Sequence, residues 1–144
     1  MFHFVLFCIG YVTATLAWYA NHRFIFHGPL GKLPILSKFS KMHKLHHAHA
    51  YDEHRNSFIM IPWWGHILLL IGSAPLAFVG LSCWLGAFCF TIHYGIKHSV
   101  MHNKLSNSLS FSHHEIHHKV APLHNFSGIH PIVDSIFKTR YDAK

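Results

Sequence analysis

The chain has 144 residues, enough for one domain, and 51% of them are hydrophobic while only 12% are charged. Soluble domains carry about 25% charged residues, so the composition disfavours an ordinary soluble protein and favours one that lies in a membrane. The formal net charge of +7 would suit nucleic acid, but the sequence has no basic helix or recognised nucleic-acid motif, so we set that class aside.

The first predicted element is a transmembrane helix from Phe2 to Ala20. This run is almost wholly apolar and uncharged, with His3 as its main polar interruption. At ~1.5 Å per residue such a helix is long enough to span the hydrocarbon core of a bilayer. A signal peptide is the alternative, but there is no basic start and no clear small-x-small cleavage site before Asn21. We therefore expect a membrane anchor.

Lysine and arginine are sharply segregated along the chain. None occurs in residues 1–22 or 56–96, so all 12 lie in residues 23–55 and 97–144. Basic segments stay on the cytoplasmic side of a membrane, so these two segments share one face. We expect this to be the cytoplasmic face of a bacterial inner membrane or of the endoplasmic reticulum.

The uncharged stretch 58–92 connects the two basic segments. A stretch that leaves one face of the membrane and returns to it is a hairpin, so we predict a turn near residues 73–80 and a third helix over about Leu81–His98. Trp63 and Trp64 would lie in the interfacial aromatic belt.

These elements predict an all-α integral membrane protein. We expect a single membrane-embedded domain over residues 1–144, with about three transmembrane helices, one plus the hairpin, and a cytoplasmic histidine-rich helical cap. Cys8, Cys83 and Cys89 lie in the apolar stretches without Cys-x-x-Cys spacing, which predicts small buried apolar side chains.

The chain holds 18 histidines, and many of them form motifs. In chain order the motifs are HX4H (His22, His27), HXXHH (His43, His46, His47), HX4H (His93, His98) and HXXHH (His114, His117, His118). On a helix, positions i, i+3 and i+4 fall within an arc of about 100°, so each HXXHH triplet can aim three imidazoles at one place. Two triplets suit two metal ions.

The HX4H pairs are weaker in geometry. Residues five apart on an α-helix lie about 140° apart, so both reach one ion only at a helix end or with metals on two sides. His98 and His102 are four apart and make a better helical pair. From spacing alone, the third motif is either His93 with His98 or His98 with His102.

The order of the four motifs resembles that of the fatty acid hydroxylase/sterol desaturase superfamily, which also includes carotene hydroxylases. The resemblance runs from about Asn21 to Tyr141 and continues past the last motif. Members often carry an aromatic-glycine element there, followed by an Asp-x-x-Phe-Gly-Thr-like ending. This chain has HNFSG at His124–Gly128 and DSIFKT at Asp134–Thr139, in which Lys138 replaces the usual glycine.

The resemblance implies an enzyme, an O2-dependent oxidoreductase that hydroxylates or desaturates a lipid C–H bond at two iron ions. The ligands it implies are the motif histidines, His22, His27, His43, His46, His47, His93, His98, His114, His117 and His118. Imidazole also suits zinc, so the isolated protein can hold the wrong metal. The implied substrate is a fatty acyl or sterol-like lipid, with a carotenoid as the alternative.

Such an enzyme needs an external electron donor. The chain is too short to include a haem, flavin or cysteine-rich module as well, so we expect a separate reductase with a ferredoxin or cytochrome b5 type carrier. The lipid substrate and the bilayer are the other expected partners, and nucleic acid is not one.

The remaining polar residues are expected outside the set of ligands. His3 and His66 are assigned structural roles, whereas six others are candidate hydrogen-bond partners of the ligands or a missing ligand: His49, His54, His102, His113, His124 and His130. Four acids are candidates to orient imidazoles by accepting their second N–H: Asp52, Glu53, Glu115 and Asp134. For Asp134 a helix cap is the preferred role.

Two rival functions are disfavoured. The last motif also satisfies HEXXH, typical of zinc metalloproteases with Glu115 as general base, but one zinc leaves the other three motifs unexplained. A metal-handling membrane protein would place its ligands within the membrane spans, whereas these motifs gather on one face.

Overall fold

The described part of the chain is built from helices. The computed structural model describes residues 1–49, 71–102 and 109–142, and every regular element in those ranges is helical. The all-α class is therefore confirmed for the described residues.

The first helix, α1, spans Phe2–Ala20, which are the residues predicted for the anchor. It continues into a π-helical turn, Asn21–Phe26. Together Phe2–Phe26 form a 25-residue helix, and within the described ranges it is the one helix long and apolar enough to cross a membrane. Phe4 and Ile9 on its surface are exposed, as lipid-facing side chains would be. The number of membrane crossings stays a prediction.

Beyond the π-helical turn the chain folds back on itself. A 3-10 turn over Pro29–Lys32 leads to α2, Ser37–His49, which carries the first HXXHH motif. The Ser40 hydroxyl donates to the Phe26 carbonyl oxygen at 3.0 Å. This bond fixes α2 against the end of the first helix.

The predicted hairpin lies only partly in the described residues, since its first half, residues 58–70, lies outside them. Where a turn is predicted, the chain forms a short helix, α3, over Pro75–Val79. Gly80 ends α3 with a φ of 153°, a conformation that side chains disfavour. The third helix, α4, spans Leu81–His102, so it begins where predicted and runs beyond His98.

Helices α1 and α4 pack closely and run parallel. His3 bonds to the Ser82 hydroxyl near their starts, at 3.1 Å. Further along both helices, Trp18 packs on Tyr94, with ring centroids 4.1 Å apart. Gly86 permits backbone contact, because a Cβ there would lie 2.0 Å from a carbonyl oxygen of α1. The parallel course puts the histidine motifs of both helices at the same end, as the predicted hairpin requires.

The three cysteines do not share one environment. Cys83 is buried, whereas Cys8 and Cys89 are exposed. The expectation of burial is therefore confirmed for Cys83 and wrong for the other two, which lie on the outer surface of the helices. A thiol is apolar enough to face lipid, so exposure on such a surface costs little.

The last described segment folds back along α1. Helix α5, Leu109–Lys119, carries the second HXXHH motif, and α6, Pro131–Ile136, is a short helix. The Tyr19 ring of α1 stacks on Phe137 with centroids 4.8 Å apart, and the Tyr19 hydroxyl hydrogen-bonds to the Thr139 hydroxyl at 3.0 Å. The segment that follows the last motif therefore packs beside the first helix.

Candidate metal centre

Histidine side chains converge in two clusters where the helices meet. Within each cluster every residue offers one ring nitrogen, and these nitrogens all lie within 4.8 Å of one another. Cluster A comprises His22, His27, His43, His47 and His117, and cluster B comprises His46, His98, His102, His114 and His118. The rings of His47 and His118 stack with centroids 4.1 Å apart, so the two clusters adjoin.

The contacts in cluster A fit a set of metal ligands better than a set of hydrogen bonds. Nε2 of His43 lies 3.0 Å from Nε2 of His22, 2.8 Å from that of His27 and 3.0 Å from that of His47. A ring nitrogen takes part in one hydrogen bond, so three such approaches to one atom are not all hydrogen bonds. Ligand nitrogens about 2.1 Å from one ion, at right angles to each other, are about 3 Å apart.

Cluster B has the same spacing. Nε2 of His102 lies 3.2 Å from Nε2 of His98 and 3.0 Å from Nε2 of His114. Nε2 of His46 is buried and has no hydrogen-bond partner in the described part of the chain. A buried ring nitrogen without a partner is costly unless an ion binds it. The residues present therefore fit a metal ion in each cluster.

Each HXXHH motif contributes to both clusters. In α2, His43 and His47 belong to cluster A while His46 belongs to cluster B. In α5 the division is reversed, since His117 joins cluster A and the other two join cluster B. The expectation that each triplet aims at one place is therefore wrong. At about 100° per residue, position i+4 lies about 40° from i in one direction around the helix, whereas i+3 lies about 60° from i in the other direction. The i and i+4 side chains therefore point to one cluster and the i+3 side chain to the other.

A π-helical turn brings the first HX4H pair together. The His27 N–H donates to the His22 carbonyl oxygen at 3.1 Å, the i to i+5 bond of a π-helix, at the end of the turn Asn21–Phe26. This wider turn places residues five apart on one side, which an α-helix does not. Both histidines of the motif therefore reach cluster A.

The second HX4H pair has no such turn. Helix α4 is α-helical through both residues, so His93 points away from the site while His98 points into it. His102, four residues after His98, takes the fifth position of cluster B. Nine of the ten histidines expected as ligands thus lie in the clusters, and His93 is the exception. Of the two pairings that spacing left open, the geometry favours His98 with His102.

Two backbone carbonyl groups orient cluster A. Nδ1 of His22 donates to the Phe126 carbonyl oxygen, and Nδ1 of His117 donates to the His124 carbonyl oxygen at 2.6 Å. Because a carbonyl oxygen only accepts, each Nδ1 carries the proton and each Nε2 keeps its lone pair. Sequence reasoning missed these partners because a backbone carbonyl group leaves no mark in the sequence.

Burial keeps the imidazoles neutral. It lowers the pKa of His27 and of His47 to about 4, and it lowers the pKa of His117 to about 3, with neighbouring imidazoles adding to the effect at His27 and His117. Burial likewise lowers the pKa of His114 well below its ordinary value. At neutral pH these rings are uncharged, with one N–H and one free lone pair, which is the form that binds metal ions.

Asp134 organises the segment that supplies the two carbonyl groups. Its buried carboxylate accepts hydrogen bonds from the backbone N–H groups of Phe126 and Ser127, at 2.8 and 2.9 Å. It also accepts from the Thr139 hydroxyl at 2.7 Å and from Nε2 of His113 at 2.9 Å. It caps none of the helices in the described ranges, so the preferred expectation is wrong there. It orients His113, which belongs to neither cluster.

The other candidate residues are distributed around the clusters. The His124 ring packs on Tyr141, with centroids 5.5 Å apart, and His130 bonds to the Tyr11 hydroxyl. His49 ends α2 on the exposed surface, and His3 pairs with Ser82. The remaining residues with a predicted role lie outside the described ranges: Asp52, Glu53, His54, Trp63, Trp64 and His66.

Glu115 does not point at a cluster. Its carboxylate pairs with the Lys119 ammonium group at 2.5 Å, and the Glu115 side chain is 32% exposed. A protease base would lie beside the ion. The two flanking residues of the HEXXH pattern, His114 and His118, instead share cluster B with three other histidines.

The described residues thus form a helical protein with a candidate site for two metal ions. The chain belongs to the fatty acid hydroxylase family, whose model matches residues 7–139. The family is membrane-associated, consists of O2-dependent oxidoreductases and acts on lipids. No curated protein and no solved structure matches the chain.

Proposed function

We propose that this protein hydroxylates or desaturates a lipid C–H bond with O2, at a dinuclear iron centre held by clusters A and B. The observation that carries the proposal is the pair of adjoining five-histidine clusters at the end of an apolar helix. Ten neutral nitrogen ligands are borderline in softness and suit iron or zinc. Bound iron would supply the O2-activating redox chemistry that side chains lack.

The ligand set that we propose is the membership of the two clusters. It retains nine of the histidines implied by the family resemblance and replaces His93 with His102. The protein contributes orientation, through the carbonyl groups of Phe126 and His124, and it excludes water.

Aromatic side chains separate the ligands from the apolar helices. Tyr94 stacks on His98 with ring centroids 5.1 Å apart, and Trp18 packs against Tyr94. Phe26 stacks on His43 with centroids 4.9 Å apart. Such a layer keeps water from the reacting atoms while the bilayer delivers an apolar substrate.

The substrate that we favour is a fatty acyl or sterol-like lipid. The family description and the Asp134–Thr139 ending support this choice over a carotenoid. In that ending, the Thr139 hydroxyl donates a hydrogen bond to the Asp134 carboxylate at 2.7 Å, which gives both side chains of the motif a structural role.

Electrons would come from a separate carrier of ferredoxin or cytochrome b5 type on the cytoplasmic side, in a bacterial inner membrane or endoplasmic reticulum. A basic face supports this part of the proposal. It consists of the exposed side chains Lys32, Lys38, Lys41 and Lys44, which form no ion pair within the described residues. A cavity of about 300 Å³ between Lys32 and Lys44 reaches the cluster ligand His27. An acidic carrier would dock there by charge complementarity.

The test is turnover in a reconstituted system. Iron-loaded protein in lipid nanodiscs would receive a mixed lipid extract, a ferredoxin with its reductase, NADPH and isotopically labelled O2. We expect a lipid that gains labelled oxygen, or one that loses two hydrogen atoms if the reaction is desaturation. Both products should vanish without the carrier and in the variant in which His47 and His118 are replaced by Ala. A product formed without O2 would contradict the proposal, as would none formed by the fully loaded protein.

A further inference from the structure

A hydrogen-bonded triad lies outside both clusters and joins three parts of the fold. The Tyr11 hydroxyl of α1 hydrogen-bonds to Nδ1 of His93 in α4 and, at 3.0 Å, to Nε2 of His130, which precedes α6. The two histidine rings lie 5.7 Å apart between centroids. The proposed metal chemistry uses none of these side chains, so their arrangement needs a separate explanation.

The depth of the triad follows from Tyr11 if the helix Phe2–Phe26 crosses the bilayer. In a bilayer crossed by Phe2–Phe26, Tyr11 lies about 14 Å along the axis from the start of the helix, well inside a core about 30 Å thick. Its three members are half-buried, and the neighbouring side chains Ile92 and Ile132 are 49% and 66% exposed. The triad therefore borders lipid, where polar groups are rare and usually functional.

The hydrogen bonds of the triad leave one donor and one acceptor on its outer side. The Tyr11 hydroxyl has one proton, so it donates to one histidine and accepts from the other. If it donates to His93, then Nε2 of His93 carries a proton and Nδ1 of His130 has a free lone pair. If it donates to His130, these roles are exchanged. Within the described residues neither outer nitrogen has a hydrogen-bond partner.

We propose that Tyr11, His93 and His130 form a binding site for the hydroxyl group of a lipid. A hydroxyl group both donates and accepts, so it satisfies the outer donor and the outer acceptor together. A carboxylate or a ketone only accepts, and an alkyl chain does neither. In lipid an unsatisfied polar group is strongly unfavourable, which makes the match selective.

This inference rests on the proposed function in assigning the bound lipid to the metal centre. His93 precedes His98 by five residues and His102 by nine, which corresponds to about 7.5 and 13.5 Å along α4. These are distances along the helix axis, and His93 points away from the clusters, so a lipid alcohol held at the triad would have to extend further than this, around α4, to bring a carbon to the metals. The triad would act as a positioning site that selects alcohols and sets the position of attack.

The test is equilibrium binding of radiolabelled cetyl alcohol to the metal-loaded protein in nanodiscs, with the alkane and the methyl ketone of the same chain length, which only accepts, as comparisons. We expect the alcohol to bind at least about tenfold more tightly than either. Tyr11→Phe and, separately, His130→Gln should each weaken alcohol binding about tenfold with unchanged metal content. Ser82→Ala, which removes a different hydrogen bond between α1 and α4, is the matched control and should bind as the wild type does.

Equal binding of alcohol and alkane would overturn the inference, as would variants that bind the alcohol normally. A fall in melting temperature with equal loss of all three ligands would also overturn it, because it would show a purely structural triad. Binding is measured without turnover, so the two proposals fail separately. An alcohol that binds selectively to the triad in a protein that oxidises no lipid contradicts the proposed function alone, whereas lipid turnover without selective alcohol binding contradicts the triad site alone.

Discussion

At the scale of the residue, the position of a histidine on its helix decides its role. His93 and His102 lie on the same helix, on either side of His98. His102 is one α-helical turn from His98 and shares its direction, whereas His93 is five residues away and points to Tyr11. Sequence spacing allowed both pairings, and the regular geometry of the helix favours His98 with His102.

Replacement of His102 by Ala should therefore remove metal from cluster B, because it deletes one of five nitrogen ligands at a buried site. We expect metal content to fall by about one ion per chain. His93→Ala is the matched control and should retain both ions. Elemental analysis of the purified variants measures this difference. Loss of metal in His93→Ala with retention in His102→Ala would contradict the assignment.

Glu115 offers a second test at this scale. Its carboxylate pairs with Lys119 at a half-exposed position, and such pairs contribute little to stability or to the site. We expect Glu115→Gln to keep both ions and to change the rate of lipid oxidation by about threefold at most. A rate reduced a hundredfold or more would instead mark Glu115 as a catalytic base and revive the protease hypothesis.

At the scale of the element, the π-helical turn Asn21–Phe26 lets a five-residue spacing act as a four-residue spacing does in an α-helix. His22 and His27 occupy cluster A from this turn much as His43 and His47 do from a regular helix. The turn was not predictable from the sequence, because its stability depends on α2 and on the contacts of the folded protein.

Deletion of the exposed residue Phe24 should be tolerated. It would leave His22 and His27 four residues apart, so a regular α-helix would direct both into cluster A. Insertion of one alanine after Phe24 should instead turn the two apart and release the ion of that cluster. Metal content of the two variants decides the matter. Equal metal loss in both would contradict the role given to the turn.

The segment after α5 depends on the buried carboxylate of Asp134. In Asp134→Asn, the new amide group would face donors that now bond to a carboxylate oxygen, among them Ser127 N–H and His113. We expect a loss of at least about 2 kcal/mol in the free energy of unfolding. Asp142→Asn is the control, since the Asp142 side chain is 67% exposed. Similar melting temperatures for the two variants would contradict the role of Asp134.

At the scale of the whole molecule, the bounds of the helices were more predictable from the sequence than the way the helices pack around the two clusters. The bounds of α1 follow from an uncharged apolar run, and the start of α4 follows from Gly80. Nine of ten expected ligands lie in the clusters. The sharing of each HXXHH motif between clusters was not predicted, because it depends on how α2 and α5 face each other. The role of Asp134 in the backbone network was hidden for the same reason.

The central claim is that two metal ions bind, one in each cluster. The most direct test is metal content per chain in iron-supplemented, detergent-purified protein, for the wild type and two double variants. His43→Ala with His47→Ala removes two ligands of cluster A, and His98→Ala with His114→Ala removes two of cluster B. We predict about two ions in the wild type and about one in each variant. A single ion in the wild type, lost from one variant and retained by the other, would contradict the two-metal centre.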